Sequence, residues 1–279
     1  MTTVVFDMDG VLYRGKETIP GAADCVAALR RMRARIGFLT NNSARTREKY
    51  AEILAVHHIK ADAREIMTSS DATVRYLAEN GIAGLRVYVV GESGLTDTLS
   101  GAGFEVDIAD EGAPCGLVVI GWDRHFTFAK IARAQSEILM NGARLVATNA
   151  DPTFPSAGRK VLPGAGTMVA AIETAAGVKA ELIGKPKTIS LVFLLKELGH
   201  ESSGNPQDVW VIGDRLETDI VCGNTYGAHT VLVTTGIADR HAGESAVGQQ
   251  RPEYIIDSLS ELPSLIGGGH RSNSAARIV

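Results

Sequence analysis

Val4-Val5-Phe6 is a short apolar run with two β-branched residues, and Asp7-Met8-Asp9-Gly10 closes it. The pattern predicts a buried strand ending in a tight loop. On a straight strand, residues i and i+2 share a face; on a curving loop, the two carboxylates can also converge on one small space. Like charges that close are tolerated when a cation joins them or one takes a proton. The pair therefore points to chemistry in which Asp7 attacks, Asp9 handles a proton and a divalent metal holds the charge together. A surface turn built on Asp9-Gly10 would present the same residues. The choice between the two readings falls to the rest of the chain.

Three later stretches repeat the arrangement of an apolar strand followed at once by polar residues. Ile36-Gly37-Phe38-Leu39-Thr40 runs into Asn41-Asn42-Ser43, Leu182-Ile183 into Gly184-Lys185-Pro186, and Asp208-Val209-Trp210-Val211-Ile212 into Gly213-Asp214-Arg215-Leu216-Glu217-Thr218-Asp219. In an open parallel α/β sheet, ligands bind outside the carboxyl ends of the strands. Asp7, Asp9, Asp214 and Asp219 supply oxygen ligands of the kind Mg²⁺ takes while keeping several waters. Thr40 and Asn41, with backbone N–H groups nearby, suit an anion, the more so if a helix starts at Ser43. Lys185 offers a positive point charge to a phosphoryl group. At an effective dielectric of about 20, a charge pair about 4 Å apart is worth about 4 kcal/mol. Electrostatics and positioning alone can thus stabilise a spread-out phosphoryl charge. A carboxylate nucleophile is already ionised at neutral pH and needs no base. A protonated Asp9 can supply the proton that an alkoxide leaving group requires, then recover one from the attacking water.

Composition narrows the alternatives. The chain has 279 residues, 45% hydrophobic and 22% charged, which suits one large or two modest soluble domains. A formal net charge of −4 provides no whole-chain basic field, which argues against nucleic acid as a partner, and Arg30 to Arg35 reads as a solvated helix face. No apolar run approaches the length of a membrane span and no signal peptide is read. Cys25, Cys115 and Cys222 are widely spaced and odd in number, matching neither a zinc motif nor a disulfide framework. The expected compartment is the reducing cytoplasm.

Along the chain, a helix is expected from Pro20-Gly21 to about Arg35, with Cys25, Leu29, Met32 and Ile36 on its buried face. Ser43 reads as the N-cap of a helix to about Ala55. His57-His58 suit a loop or helix end, and Thr68-Ser69-Ser70-Asp71 caps a helix that stops at Asn80-Gly81. The middle of the chain reads as an α/β unit in its own right. Its strands are Leu85 to Val90, Gly116 to Ile120 and Arg144 to Thr148. Its helices run to about Gly101, from Phe126 to Met140 with Phe128, Ile131 and Ile138 on one face, and through Met168 to Gly177. Gly164-x-Gly166 lacks the third glycine of a dinucleotide fingerprint. Thr230 to Thr234 and Tyr254 to Ile256 read as strands, residues 241–250 as a mobile loop and the tail from Gly267 as flexible.

With these stretches in order, the chain resembles the haloacid dehalogenase superfamily, in particular its phosphatases with a large α/β cap. The carrying residues are Asp7 to Gly15, Thr40 to Ser43, Gly184 to Pro186 and Gly213 to Ile220. Gly121 to Phe126 and Leu162 to Gly166 are similar to that branch's cap. The resemblance implies an α/β fold: a Rossmann-like parallel-sheet core of residues 1–81 and 183–279, interrupted by a cap of residues 82–182. It implies Asp7 as nucleophile and Asp9 as acid and base. Mg²⁺ would be held by Asp7, the backbone carbonyl of Asp9 and Asp214, with Asp219 supporting that shell. Thr40, Asn41, Asn42 and Lys185 would hold phosphate. The substrate would be a small-molecule phosphate ester, and a homodimer is compatible with the branch. Asn149 to Pro155 resembles the family's substrate-facing loop, which makes Asp151 and Phe154 the expected specificity residues. Phe154 stands where pyridoxal phosphate phosphatases carry a histidine, which argues against that substrate. A receiver-type signalling module also clusters aspartates, a hydroxyl residue and a lysine, and a phosphotransferase of related fold would share the site. The Asp-x-Asp spacing on the first strand and the interrupting unit argue against the receiver.

Overall fold

A computed structural model describes residues 1–155, 161–200 and 204–268. Six strands form one parallel sheet in the order Tyr254–Ile256, His229–Val233, Val209–Gly213, Thr3–Phe6, Arg35–Thr40, Ile66–Thr68. Thr3–Phe6 lies in the middle because Val4, Val5 and Phe6 are apolar and all four residues are buried, as an interior parallel strand must be. The chain leaves it toward Arg35–Thr40 on one side, and Val209–Gly213 returns on the other. The strand order therefore reverses at Thr3–Phe6, which opens a crevice at its carboxyl end.

A second parallel sheet lies within the interruption. Its five strands run Glu181–Leu182, Arg144–Ala147, Leu117–Ile120, Arg86–Val90, Glu105–Asp107. Thr153–Pro155 and Val161–Pro163 pair antiparallel as a separate two-stranded sheet. The two sheets are not independent beads. Val5, Leu39 and Met67 of the first share one buried apolar cluster with Val87, Val89, Val119 and Val146 of the second. Burying each such side chain contributes about 1.5–3 kcal/mol.

Several sequence expectations need correction. The first helix is Ala22–Arg31 and stops short of Arg35, because Arg33 turns into a left-handed conformation and frees Arg35 for the sheet. Cys25 and Leu29 are buried as expected, Met32 is exposed and Ile36 belongs to the strand. Ser43 is not an N-cap. Thr46 caps the helix Arg47–Val56, and the buried Ser43 hydroxyl instead accepts the Trp122 N–H at 3.1 Å. On the helix Phe128–Asn141, Ile138 is buried and Ile131 packs inward as expected, but Phe128 is 83% exposed, and Arg133, Ala134 and Glu137 are buried. The stretch 241–250 is ordered into a helix, Arg240–Ser245, and a 3₁₀ turn, Gly248–Gln250. The tail from residue 269 lies outside the described residues. The three cysteines are buried and free. Among the described residues, no helix is long and apolar enough to cross a membrane.

Candidate active site

The crevice at the carboxyl end of Thr3–Phe6 is an open cavity with about 60 Å³ of enclosed space. Every residue singled out from the sequence lines it: Asp7, Asp9, Thr40, Asn41, Asn42, Lys185, Asp214 and Asp219, with Asp151 and Phe154 from the interrupting segment. Asp7 follows the strand directly, its N–H still donating to Ile212 O at 2.8 Å, so the neighbouring strand fixes its position. Gly10 makes the turn that follows Asp9, its N–H donating to Tyr13 O at 2.8 Å. Its φ is +87°, and a Cβ there would press on the Asp214 carboxylate.

Lys185 is the electrostatic centre. Only 3% exposed, its ammonium donates to Asp7 Oδ1 and Asp219 Oδ1, each at 2.6 Å, and to Leu39 O at 3.2 Å. These bonds account for its three N–H groups. Burial opposes its charge, but Asp219 and Asp7 outweigh that and push its pKa up, so it is a fixed cation. Asp219 Oδ2 accepts the backbone N–H groups of Asp214 at 3.2 Å and Arg215 at 3.1 Å, which folds the loop after Val209–Gly213 inward. Asp214 Oδ2 accepts Ile237 N–H at 2.9 Å.

The carboxylates outnumber the cations around them. Ligand oxygens of Asp7, Asp214 and Asp219 lie within 4.8 Å of one another. Burial raises the Asp7 pKa well above the usual carboxylate range; Lys185 pulls it down, while Asp219 and Asp214 push it up. Burial, reinforced by Asp219, lifts Asp214 to about 7. Burial lifts Asp9 to about 6, against the pull of Arg45 and Lys185. A cluster of acids this short of positive charge has the electrostatics that suit a bound cation. Its donors are all oxygens, the set that suits a hard divalent metal.

The residues read as phosphate ligands divide by what their side chains are free to do. Asn41 is a strut: its Oδ1 accepts Lys185 N–H at 2.8 Å, and its Nδ2 donates to Lys185 O at 2.9 Å and Asp151 Oδ2 at 3.0 Å. Its amide is thereby committed to holding Lys185 and to tying the two sheets together. The Thr40 hydroxyl accepts Asn42 N–H at 3.1 Å, and Asn42 Oδ1 accepts Ala44 N–H at 2.9 Å, so this loop is shaped by its own side chains.

Two lining residues received no role from the sequence. Trp122 stacks on Phe154 with ring centroids 4.4 Å apart and donates its indole N–H to Pro163 O at 2.9 Å, making an apolar wall. Arg215 reaches from the Asp214 loop to Thr153, donating to its carbonyl at 3.1 Å and its hydroxyl at 3.2 Å. Both stand inside quoted family stretches. Nothing in their spacing says that they meet the cavity, because that depends on how the second sheet sits over the first.

The fold and this site define an α/β protein with a carboxylate and lysine centre at the switch point of a parallel sheet. A family model described as haloacid dehalogenase-like hydrolase matches residues 4–105, and a second, HAD-hydrolase-like model matches residues 182–262. The chain is 33% identical to human glycerol-3-phosphate phosphatase, over 95% of this chain and 91% of that one. It is 34% identical to sugar-phosphatase AraL of Bacillus subtilis strain 168, over 95% and 93%. A crystal structure of glycerol phosphate phosphatase from Mycobacterium tuberculosis, in complex with magnesium, superposes with a TM-score of 0.82 at 31% identity, covering 93% of this chain and 75% of that one. The chain belongs to the haloacid dehalogenase-like hydrolases.

Proposed function

We propose that the protein is a Mg²⁺-dependent phosphatase that hydrolyses small-molecule phosphomonoesters through a phosphorylated Asp7. The observation that carries this reading is the Asp7–Lys185–Asp219 chain, with Asp214 beside it, where Asp7 and Asp214 follow adjacent strands. The relatives named above are phosphatases of glycerol phosphate and sugars, which supports the reaction class.

Asp7, Asp214 and the backbone carbonyl of Asp9 would hold the metal, with Asp219 supporting them. When bound, Mg²⁺ supplies the positive charge that the acid cluster lacks and draws electron density from the phosphoryl oxygens. Lys185 holds the Asp7 carboxylate in one orientation, which favours a near-attack geometry. The Asp7 carboxylate attacks phosphorus, and the P–O bond to the leaving alcohol breaks. Asp9 gives its proton to the departing oxygen, and its pKa near 6 suits that exchange. Asp9 then takes a proton from the water that splits the acyl phosphate, which returns Asp7 as a carboxylate and releases phosphate. Lys185, with its donors committed to protein, acts on the phosphoryl group through its charge. Residues 82–182 form the cap, and Asp151, Phe154 and Trp122 face the leaving group. The three buried cysteines support a reducing, cytoplasmic setting.

The test is release of phosphate from p-nitrophenyl phosphate. Activity is expected to vanish with EDTA and return with Mg²⁺. Asp7→Asn should be inactive, since an amide is no nucleophile of this kind. Asp9→Asn should lose about 10²- to 10⁴-fold in kcat. Full turnover by Asp7→Asn would overturn the reading.

A further inference from the structure

Asp151 carries an atom that nothing in the protein uses. Its Oδ2 accepts Asn41 Nδ2 at 3.0 Å and Asn149 Nδ2 at 2.7 Å, one donor from each sheet's neighbourhood. Those two bonds hold the carboxylate in place. Its Oδ1 is buried and has no hydrogen-bond partner among the described residues. A buried carboxylate oxygen left without a donor is costly, and such atoms are rare unless something external completes them. Asp151 lines the same cavity as Asp7 and Lys185, so a bound substrate can bring the donor.

The position says which part of the substrate that is. The Asn41 amide is shared between Asp151 Oδ2 and Lys185 O, and the Lys185 ammonium touches Asp7. Asp151 therefore stands one side chain away from the group that holds the nucleophile, on the cap side. A substrate atom meeting it belongs to the carbons close to the ester oxygen. Trp122 and Phe154, stacked at 4.4 Å, offer those carbons an apolar surface. An ionised carboxylate accepts and does not donate.

Resting on the phosphatase reading, we propose that Asp151 Oδ1 accepts a hydrogen bond from a leaving-group hydroxyl, so that the site selects phosphomonoesters of small polyhydroxy alcohols. A leaving group with a carboxylate at that position would meet like charge and be rejected. Arg215, bonded to Thr153 on the same side of the cavity, is the cation that could instead draw such an acid in, and the experiment separates the two.

The measurement is kcat/KM for glycerol 3-phosphate, propyl phosphate and 2-phosphoglycolate, in the native enzyme and in Asp151→Asn. The variant keeps an oxygen for Asn41 and Asn149 and puts an NH₂ group in place of Oδ1. A hydrogen bond to a charged group predicts that native enzyme favours glycerol 3-phosphate over each of the others by about tenfold or more. In Asp151→Asn the ratio of glycerol 3-phosphate to 2-phosphoglycolate should fall by about tenfold, because a donor replaces the anion. Three results would overturn the proposal: no native preference over propyl phosphate, a native preference for 2-phosphoglycolate, or a variant that loses activity equally on all three. The last would leave Asp151 as only a tie to Asn41. Hydrolysis of p-nitrophenyl phosphate with none of the three turned over would overturn this proposal alone. Failure on p-nitrophenyl phosphate as well would overturn the phosphatase reading with it.

Discussion

Asp214 is positioned by the absence of side chains around it. A Cβ at Gly10 or at Gly236 would press on its carboxylate, and Ile237 N–H holds its Oδ2 at 2.9 Å. Gly236 has no unusual φ, so its substitution acts through contact alone. Gly236→Ala is expected to fold, shift the Asp214 carboxylate and lower kcat by about 10²-fold, the effect of a displacement near 1 Å at a reacting centre. A Mg²⁺ titration of activity, with circular dichroism as the check on folding, reads both effects. At this scale the sequence identifies the acids but not their spacing. Asn41 illustrates the difference. As a polar residue at a strand end it was a fair phosphate ligand, yet its amide is spent on Lys185 and Asp151, residues far away in sequence.

Elements with local causes were legible. The Thr68 hydroxyl and Asp71 carboxylate make the reciprocal cap expected for Ser69–Glu79, with Asp71 N–H donating to Thr68 Oγ1 at 3.1 Å. Thr68→Ala should cost about 1–2 kcal/mol, measured as a lower denaturation midpoint at unchanged m. Where the expectation failed, a distant partner decided. Ser43 resembles a cap in sequence, but the Trp122 N–H claims its hydroxyl, and the helix starts after Thr46 instead. On Phe128–Asn141 the buried side holds Arg133 and Glu137, a pair that no apolar periodicity could have placed inward.

Across the whole molecule, the two sheets share an apolar cluster, so the second sheet packs on the first and is not merely tethered to it. Around the second sheet, a buried ionic network ties the loop before Leu117 to the helix Phe128–Asn141. Arg133 Nε donates to Glu137 Oε1 at 2.6 Å, Cys115 N–H donates to Glu137 Oε2 at 2.8 Å, and Arg86 and Arg133 both reach Asp107. Burial acts to raise the Glu137 and Asp107 carboxyls. The bonds from Cys115, Asn141 and Arg133 to the first, and from Ala109, Arg86 and Arg133 to the second, prevail and hold both below their ordinary values of 4.5 and 3.8. A depressed folded-state pKa stabilises above the unfolded value and stops doing so as pH falls through the folded one. Thermal stability should therefore drop steeply below about pH 4.5, where unfolded Glu begins to take up protons. Glu137→Gln should flatten that drop and cost about 3–5 kcal/mol near pH 7, because it leaves Arg133 with less of its buried counter-charge. Tm measured from pH 3 to 7 for both proteins checks the sign and the slope.

What the sequence by itself determined is the alternation of strands and helices and the chemistry at the strand ends. Apolar β-branched runs bounded by turn residues have local causes, and Asp, Thr and Asn directly after such runs lie at one edge of a parallel sheet, whereas the strand before Lys185 joins the second sheet and brings its lysine in from there. What only the tertiary structure decided is how those groups are spent and what covers them. Lys185 saturated by Asp7 and Asp219, Asn41 turned into a strut, Arg215 reaching Thr153 and Asp151 left with one unpartnered oxygen all depend on contacts between residues remote in the chain. Such contacts exist only once the second sheet has packed against the first, and no local periodicity encodes them.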